Sequence, residues 1–195
     1  MANHVSYYIE FYKMNSKAKA RMKYLLDNAE KQTDGDIAFG NLIALDVKQE
    51  DKDNYSWYLN NVGPKWCHIE DFDIDHLQGY SAWSAPIQGL ETLLEDLSQY
   101  DPEMITTIQY EDEYALFVGQ YTYQGSEIAD GIEYEWDEIV EEIIAATDEL
   151  EEGDYNYETS EWINEEKQEI FWEVQWEWVH DMQESVRESG IATCV

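Results

Sequence analysis

"MITTIQYEDEYALFVGQYTYQGSEI", Met104–Ile128, decides the fold. It holds two runs rich in β-branched and aromatic residues, with the acidic "EDEY" between them. Such runs read as strands and the polar break as a hairpin turn. Before it lies "PIQGLETLLEDLSQYD", where Ile87, Leu90, Leu94 and Leu97 share one side of a helix that Pro86 can start. "GYSAWSAP" (Gly79–Pro86) reads as a strand ending in a turn. "YSWYLNNVGPKWCHIEDFDI" (Tyr55–Ile74) suggests a turn at Asn61–Lys65 and a strand from Trp66.

At the N-terminus "HVSYYIEFYKM" alternates as a strand does, with Val5, Tyr7, Ile9 and Phe11 on one face. Asn15 is a good helix cap for Asn15–Gln32, whose Ala18, Met22, Leu25, Leu26 and Ala29 follow helical spacing. "IAFGNLIALDV" reads as a short strand or an irregular packed segment, and "DGD" and "KQEDKDN" (Lys48–Asn54) read as loops. The order β, α, β, β, α, β, β predicts an α+β fold, an antiparallel sheet with helices on one face.

Two acidic helices are expected to follow. In Glu133–Gly153, Trp136, Ile139, Val140, Ile143, Ile144, Thr147 and Leu150 fall on one arc. Asp137, Glu138, Glu141 and Glu142 lie on the other. The second helix starts with Ser160 as cap and stops at Gly190. The expected organisation is a domain over residues 1–130 and an acidic helical extension over 131–195 packed on it.

Charge divides the chain in the same way. Net charge is −33 in 195 residues, yet residues 1–65 hold nine Lys/Arg and nine Asp/Glu. The remainder holds Lys167 and Arg187 against 35 acidic residues. Nucleic acid and anionic membranes are thereby excluded as direct partners, and basic partners or cations are favoured. Salt adaptation would acidify the whole chain, which the neutral first third argues against. Eight Trp, fifteen Tyr and five Phe speak against a disordered acidic tail. No apolar run approaches the roughly 20 residues of a membrane span. Two cysteines, Cys67 and Cys194, are too few for a disulfide scaffold. The expectation is a soluble protein of the cytoplasm, with free thiols and no cofactor.

Four stretches carry a family resemblance: "GPKWC" (Gly63–Cys67), "SAWSAP" (Ser81–Pro86), "LSQYDPEM" (Leu97–Met104) and "QYEDEYALFVGQYTY" (Gln109–Tyr123). Over roughly residues 55–125 the chain resembles the YubB/Api92-type ferredoxin-like domain of phage and plasmid proteins. The opening "MANHV" also resembles the start of small proteins of large tailed phages. Ser81 stands where that family usually has Thr, and Cys67 where an acidic residue is common. The resemblance implies a ferredoxin-like fold and a phage or mobile-element origin, but no activity. It makes Gly63, Trp66, Trp83, Pro86 and Gly119 fold residues, with Trp66 and Trp83 packing the sheet against its helices. The acidic helices lie outside it.

Little else points to chemistry. Asp71, Asp73 and Asp75 have calcium-loop spacing, but His76 and Ala82 occupy the Gly and Glu positions that loop needs. Cys67, His68 and His76 offer at most three zinc ligands. No phosphate-binding Gly loop or nucleophile elbow occurs. No catalytic or metal-ligating residue is expected.

The remaining signal is "SEWINEEKQEIFWEVQWEWVHD" (Ser160–Asp181), in which Glu161, Glu165, Glu169, Glu173, Glu177 and Asp181 recur every four residues. Like charges at that spacing repel by about 0.2–0.5 kcal/mol per pair. Ile163, Ile170, Phe171, Val174, Trp178 and Met182 form the expected core face, while Trp172, Trp176 and Val179 form a second apolar stripe among the carboxylates. That stripe must touch another part of the chain or a partner. Successive acids rise about 6 Å along the axis, close to the roughly 7 Å between alternate phosphates of a DNA strand. A solvated face explains the row as well. Three functions follow in order: a non-enzymatic inhibitor that imitates a phosphate backbone toward a basic host nucleic-acid-binding protein; an interaction or assembly module using Trp172 and Trp176; and a divalent-cation-dependent enzyme. The first would engage its partner through the six row acids, Asp137, Glu138, Glu141, Glu142, Trp172 and Trp176.

Overall fold

The computed structural model describes residues 3–52 and 55–194. Met1 and Ala2 of the "MANHV" opening, and residues 53 and 54 of the expected Lys48–Asn54 loop, lie outside the described residues.

Strand β1 (His4–Tyr12) keeps its alternation: Val5, Tyr7, Ile9 and Phe11 are buried and His4 and Ser6 are exposed. Helix α1 (Ser16–Asn28) starts where Asn15 caps it, the side-chain oxygen accepting the Lys17 and Ala18 N–H groups at 2.8 and 3.0 Å. The ambiguous segment after it resolves into β2 (Ile37–Ala38) and α2 (Phe39–Ile43). Short helices α3 (Gln49–Lys52) and α4 (Tyr55–Asn61) lead to β3 (His68–Phe72), β4 (His76–Ala82) and α5 (Ile87–Ser98). The quoted stretch forms β5 (Ile105–Asp112) and β6 (Phe117–Gln124), turning between them at residues 113–116.

All seven main strands, including β7 (Glu127–Glu135), join one antiparallel sheet in the order β2-β3-β4-β1-β5-β6-β7. The architecture is therefore α+β, with seven helices among the described residues. On one face α1, α2 and α5 bury Met22, Leu25, Phe39, Leu90 and Leu94 against Tyr7, Ile9, Ile69, Leu77 and Ile108. Because side chains of a strand alternate between faces, a second layer needs its own cover. Helix α6 (Trp136–Ala146) and the 29-residue α7 (Glu165–Thr193) supply it over β6, β7 and the edge of β5. A second core there holds Val118, Ile139, Val140, Ile143, Phe171 and Val179.

Helices α1, α2 and α5 share one face as expected, and the two acidic helices cover part of the other. The expected helix Glu133–Gly153 is shorter. Gly125, with φ of +60°, turns the chain back so that residues 127–135 pair with β6. α6 then opens at Trp136 on a reciprocal Glu135/Glu138 cap and ends at Ala146, because Thr147 is extended. β7 thus runs straight through the expected boundary between residues 130 and 131.

The start of α7 differs too. Ser160 has φ of +55° and caps nothing, and Glu161 and Trp162 form β9, pairing with β8 (Tyr155–Asn156). Asn164 is the cap, accepting the Lys167 N–H at 3.0 Å. Ile163, assigned to the core face, precedes the helix and is exposed. Gly190 is not the stop, since α7 continues to Thr193. It is buried where any Cβ would lie 2.2 Å from Thr122 Oγ1, so its smallness lets helix and sheet approach.

Trp66 and Trp83 depart furthest from expectation. Both have left-handed backbone, φ +54° and +69°, which is rare for bulky residues. They are 51% and 53% exposed and lean on each other at 5.7 Å rather than packing sheet to helix.

Gly79 is a point of close approach in β4. A Cβ there would sit 1.9 Å from the His68 carbonyl oxygen of β3, which also accepts the Tyr7 hydroxyl at 2.7 Å. Backbone cannot yield as a side-chain tip can. Gly79→Ala should therefore lower the urea midpoint by an amount equivalent to about 1–3 kcal/mol, the usual range for overpacking.

Candidate functional site

The repeated acids lie along the outward side of α7. Glu165, Glu169, Glu173, Glu177 and Asp181 are all exposed and share one continuous helix. Glu161 is exposed as well but belongs to β9, so the row on the helix has five members. Asp137, Glu138, Glu141 and Glu142 are exposed on α6.

The two basic residues of this part of the chain are engaged elsewhere. Lys167 Nζ is 2.8 Å from Asp154 Oδ2 and also donates to the Glu149 carbonyl. That hydrogen bond holds the Asp154 carboxyl below its usual range. Arg187 reaches Glu10 at 3.7 Å and Glu184 at 3.6 Å. Both basic residues beyond Lys65 are thereby engaged, and among the described residues no acid of the row forms an ion pair.

The second apolar stripe divides. Val179 is buried beneath α7, on a line with Phe171, Gln175 and Gln183. Trp172 stays 43% exposed, leaning on Trp136 at 5.8 Å, and Trp176 is 73% exposed, stacked on His180 at 5.9 Å. With Asp112, Glu113 and Tyr114 of the β5–β6 turn they line a cleft of about 290 Å³. The buried glutamines carry no hydropathy signal. Gln183 is recognisable only from the structure, where its Nε2 donates to the carbonyls of Tyr110 and Gly119 at 3.1 and 3.3 Å.

No family model, curated protein or solved structure matches the chain.

α7 covers only half of its side of the sheet. Over β3, β4 and β1 the face stays open, bordered by the C-terminal half of the helix. An open groove of about 430 Å³ lies there, lined by His4, Ser6, Tyr8, Tyr80, Glu70 and Glu111 among others. Ser6 stands opposite Tyr80 on one side and Glu111 on the other. It is the small residue in a row of large ones, so the face dips at that point.

The other sequence candidates are dispersed. Cys67 is buried, its thiol 3.6 Å from the Tyr7 hydroxyl, and burial raises its pKa well above the usual thiol range. No group of three or more His, Cys, Asp or Glu among the described residues is placed to hold a metal ion. Asp71 and Asp75 instead flank His76, at 3.6 Å from Nε2 and 3.0 Å from Nδ1. The Asp75 hydrogen bond, opposed by desolvation and helped by the Asp71 charge, raises the imidazole pKa above its ordinary 6.5. A raised pKa means that the pairing stabilises the fold at pH values below the unfolded pKa. That contribution is lost as pH rises through the folded value. An NMR titration of the His76 ring should give a midpoint above 6.5 that falls back in Asp75→Asn.

No helix among the described residues is long and apolar enough to cross a membrane.

Proposed function

We propose that this is a non-enzymatic phage or mobile-element protein that binds a basic host nucleic-acid-binding protein by imitating a phosphate backbone. A defence nuclease, a restriction or CRISPR-type complex, or a transcription factor would present a suitable surface. One observation carries the reading: the five row acids of α7 are all exposed, fixed on one helix and, among the described residues, without ion pairs. Carboxylates that only kept the protein soluble would need neither a common element nor a regular rise. The rise of about 6 Å per step lies near alternate-phosphate spacing. The exposed rings of Trp172 and Trp176 would add contact where bases otherwise stack.

The same proposal includes the fold family and the setting. β1, α1, β3, β4, α5 and β5, with strand order β3-β4-β1-β5 and both helices on one face, form the split βαβ arrangement of ferredoxin-like domains. β2, β6 and β7 then enlarge that unit, and a host cytoplasm would be the place of action.

The test is capture from host lysate on immobilised protein, eluted either by salt or by duplex DNA. Nucleic-acid-binding proteins should be released by DNA. Their affinity should also fall by about 10²-fold between 50 and 200 mM salt, the scale for a contact of about five charges. Binding that is indifferent to salt and to DNA would overturn the proposal.

A second reading rests on the exposure of Trp176. If the Trp172/Trp176 cleft is the whole interface, Trp172→Ala with Trp176→Ala abolishes association and salt leaves it unchanged.

A further inference from the structure

The half-open sheet face has features that the outward row lacks. Three side chains of β1, His4, Ser6 and Tyr8, point into it, with Gln78 and Tyr80 from β4 and Gln109 and Glu111 from β5. Glu70 stands at the β3 side. Among the described residues no Lys or Arg lines the groove. Cross-strand neighbours stand about 4.5–5.5 Å apart, so the small Ser6 leaves a slot between Tyr80 and Glu111, with Tyr8 at its end.

Glu111 is the chemically demanding group. It is half-buried, and among the described residues no Lys or Arg pairs with it. Burial first, and then the neighbouring Asp112, raises its carboxyl pKa above the ordinary range, with His180 acting weakly the other way. A carboxylate in that position gains most from a cation that also tolerates partial desolvation. Guanidinium does so better than ammonium. It is more weakly hydrated, stacks on aromatic faces and presents several donors in one plane. The amide oxygens of Gln78 and Gln109 are further acceptors within the same groove.

We propose that this groove receives an arginine side chain of the binding partner, its guanidinium above Ser6, paired with Glu111, with the Tyr8 ring at one end and the Tyr80 ring, itself stacked between His4 and His68, as the far wall. Glu111 also lines the Trp172/Trp176 cleft, so a chain lying along that side of α7 reaches the groove without a break. The inference rests on the reading that the partner is basic, and adds which side chain it must present and where.

The test uses the full chain and three blocked amino acids: N-acetyl-arginine amide, the lysine equivalent, and the neutral citrulline equivalent. In a ¹H–¹⁵N NMR titration the arginine probe should give saturable shifts centred on Ser6, Tyr8, Tyr80 and Glu111. A single side chain should bind with a dissociation constant on the order of millimolar. Lysine should bind several-fold more weakly, and citrulline should not saturate. Glu111→Gln, which removes a charge without changing shape, should weaken the arginine probe about tenfold, the scale of one charge-assisted hydrogen bond. Its remaining amide spectrum should be unchanged. Equal binding by arginine and citrulline, an unaffected Glu111→Gln, or shifts confined to the acids of α7 would overturn the proposal. Because no partner is present, failure here with salt-sensitive capture intact refutes the groove alone. The opposite result refutes the partner reading and leaves a guanidinium site.

Discussion

Phe171→Ala should cost about 3–5 kcal/mol, the range for truncating a fully buried aromatic ring. At this chain length that corresponds to a fall in Tm of roughly 6–20 °C. Phe171 is wholly buried and its ring meets Trp162 at 4.8 Å, Trp136 at 5.3 Å and Trp172 at 5.4 Å. Three elements converge on it: β9 through Trp162, α6 through Trp136, and α7 itself. Trp136 is fixed in turn by its Nε1 donating to the Tyr155 hydroxyl at 2.6 Å. The cavity cannot collapse easily when its walls are large rings held by other contacts. Tryptophan fluorescence should report the loss at once, since three of the eight indoles border the site. A Tm within a degree or two of the parent would mean that α6 and α7 are not held together by this cluster.

The second large effect should show stability and binding moving in opposite directions. Glu169→Lys with Glu177→Lys turns the row on α7 into an alternation of signs. Four repulsive spacings disappear, from Glu165/Glu169 to Glu177/Asp181. Relief of repulsion alone amounts to about 1–2 kcal/mol at low salt, and the new i,i+4 attractions add to it. The fold should therefore become more stable in urea. Binding to a basic partner should fall, because each close charge pair lost at an interface costs at least about 1.5 kcal/mol. Two such losses make about 3 kcal/mol, or roughly a hundredfold in affinity. A row that served solubility alone would yield a stabler protein with unchanged binding. Natural sequences keep locally unfavourable features where function needs them, and this double variant tests that directly.

Elements governed by local chemistry were legible. The alternation of β1, the Asn15 cap and the leucines of α5 each depend on neighbours a few residues away, and each element starts where expected, although α1 ends at Asn28, short of Gln32. What failed depended on distant pairing. Ser160 and Asn164 are equally good caps by composition, and the choice falls to Asn164 because Trp162 pairs with Tyr155 across β8 and β9. β7 is highly acidic and carries Gly131 beneath the Tyr121 ring, so it lacks the apolar run that marks a strand. Trp66 and Trp83 have the composition of core residues, yet left-handed backbone turns them outward. Of the candidate site, the acids and Trp176 were visible as a pattern. The groove beside α7 was not, because Ser6, Tyr80 and Glu111 meet only across three strands.

The contact between the middle of α7 and the sheet is largely polar. Gln175 and Gln183 lie buried there, and among the described residues Gln120 Oε1 and Thr122 Oγ1 have no protein partner. The helix is anchored at its start by the aromatic cluster and near its end by Gly190 resting on Thr122. Such a span opens at less cost than the dry layer under α1 and α5. Amide hydrogen exchange in α7 between residues 175 and 187 should outrun that of β1 and β5. The middle of the long helix is then the least firmly held part of that cover, opening locally between two fixed ends while β1 and β5 keep their pairing.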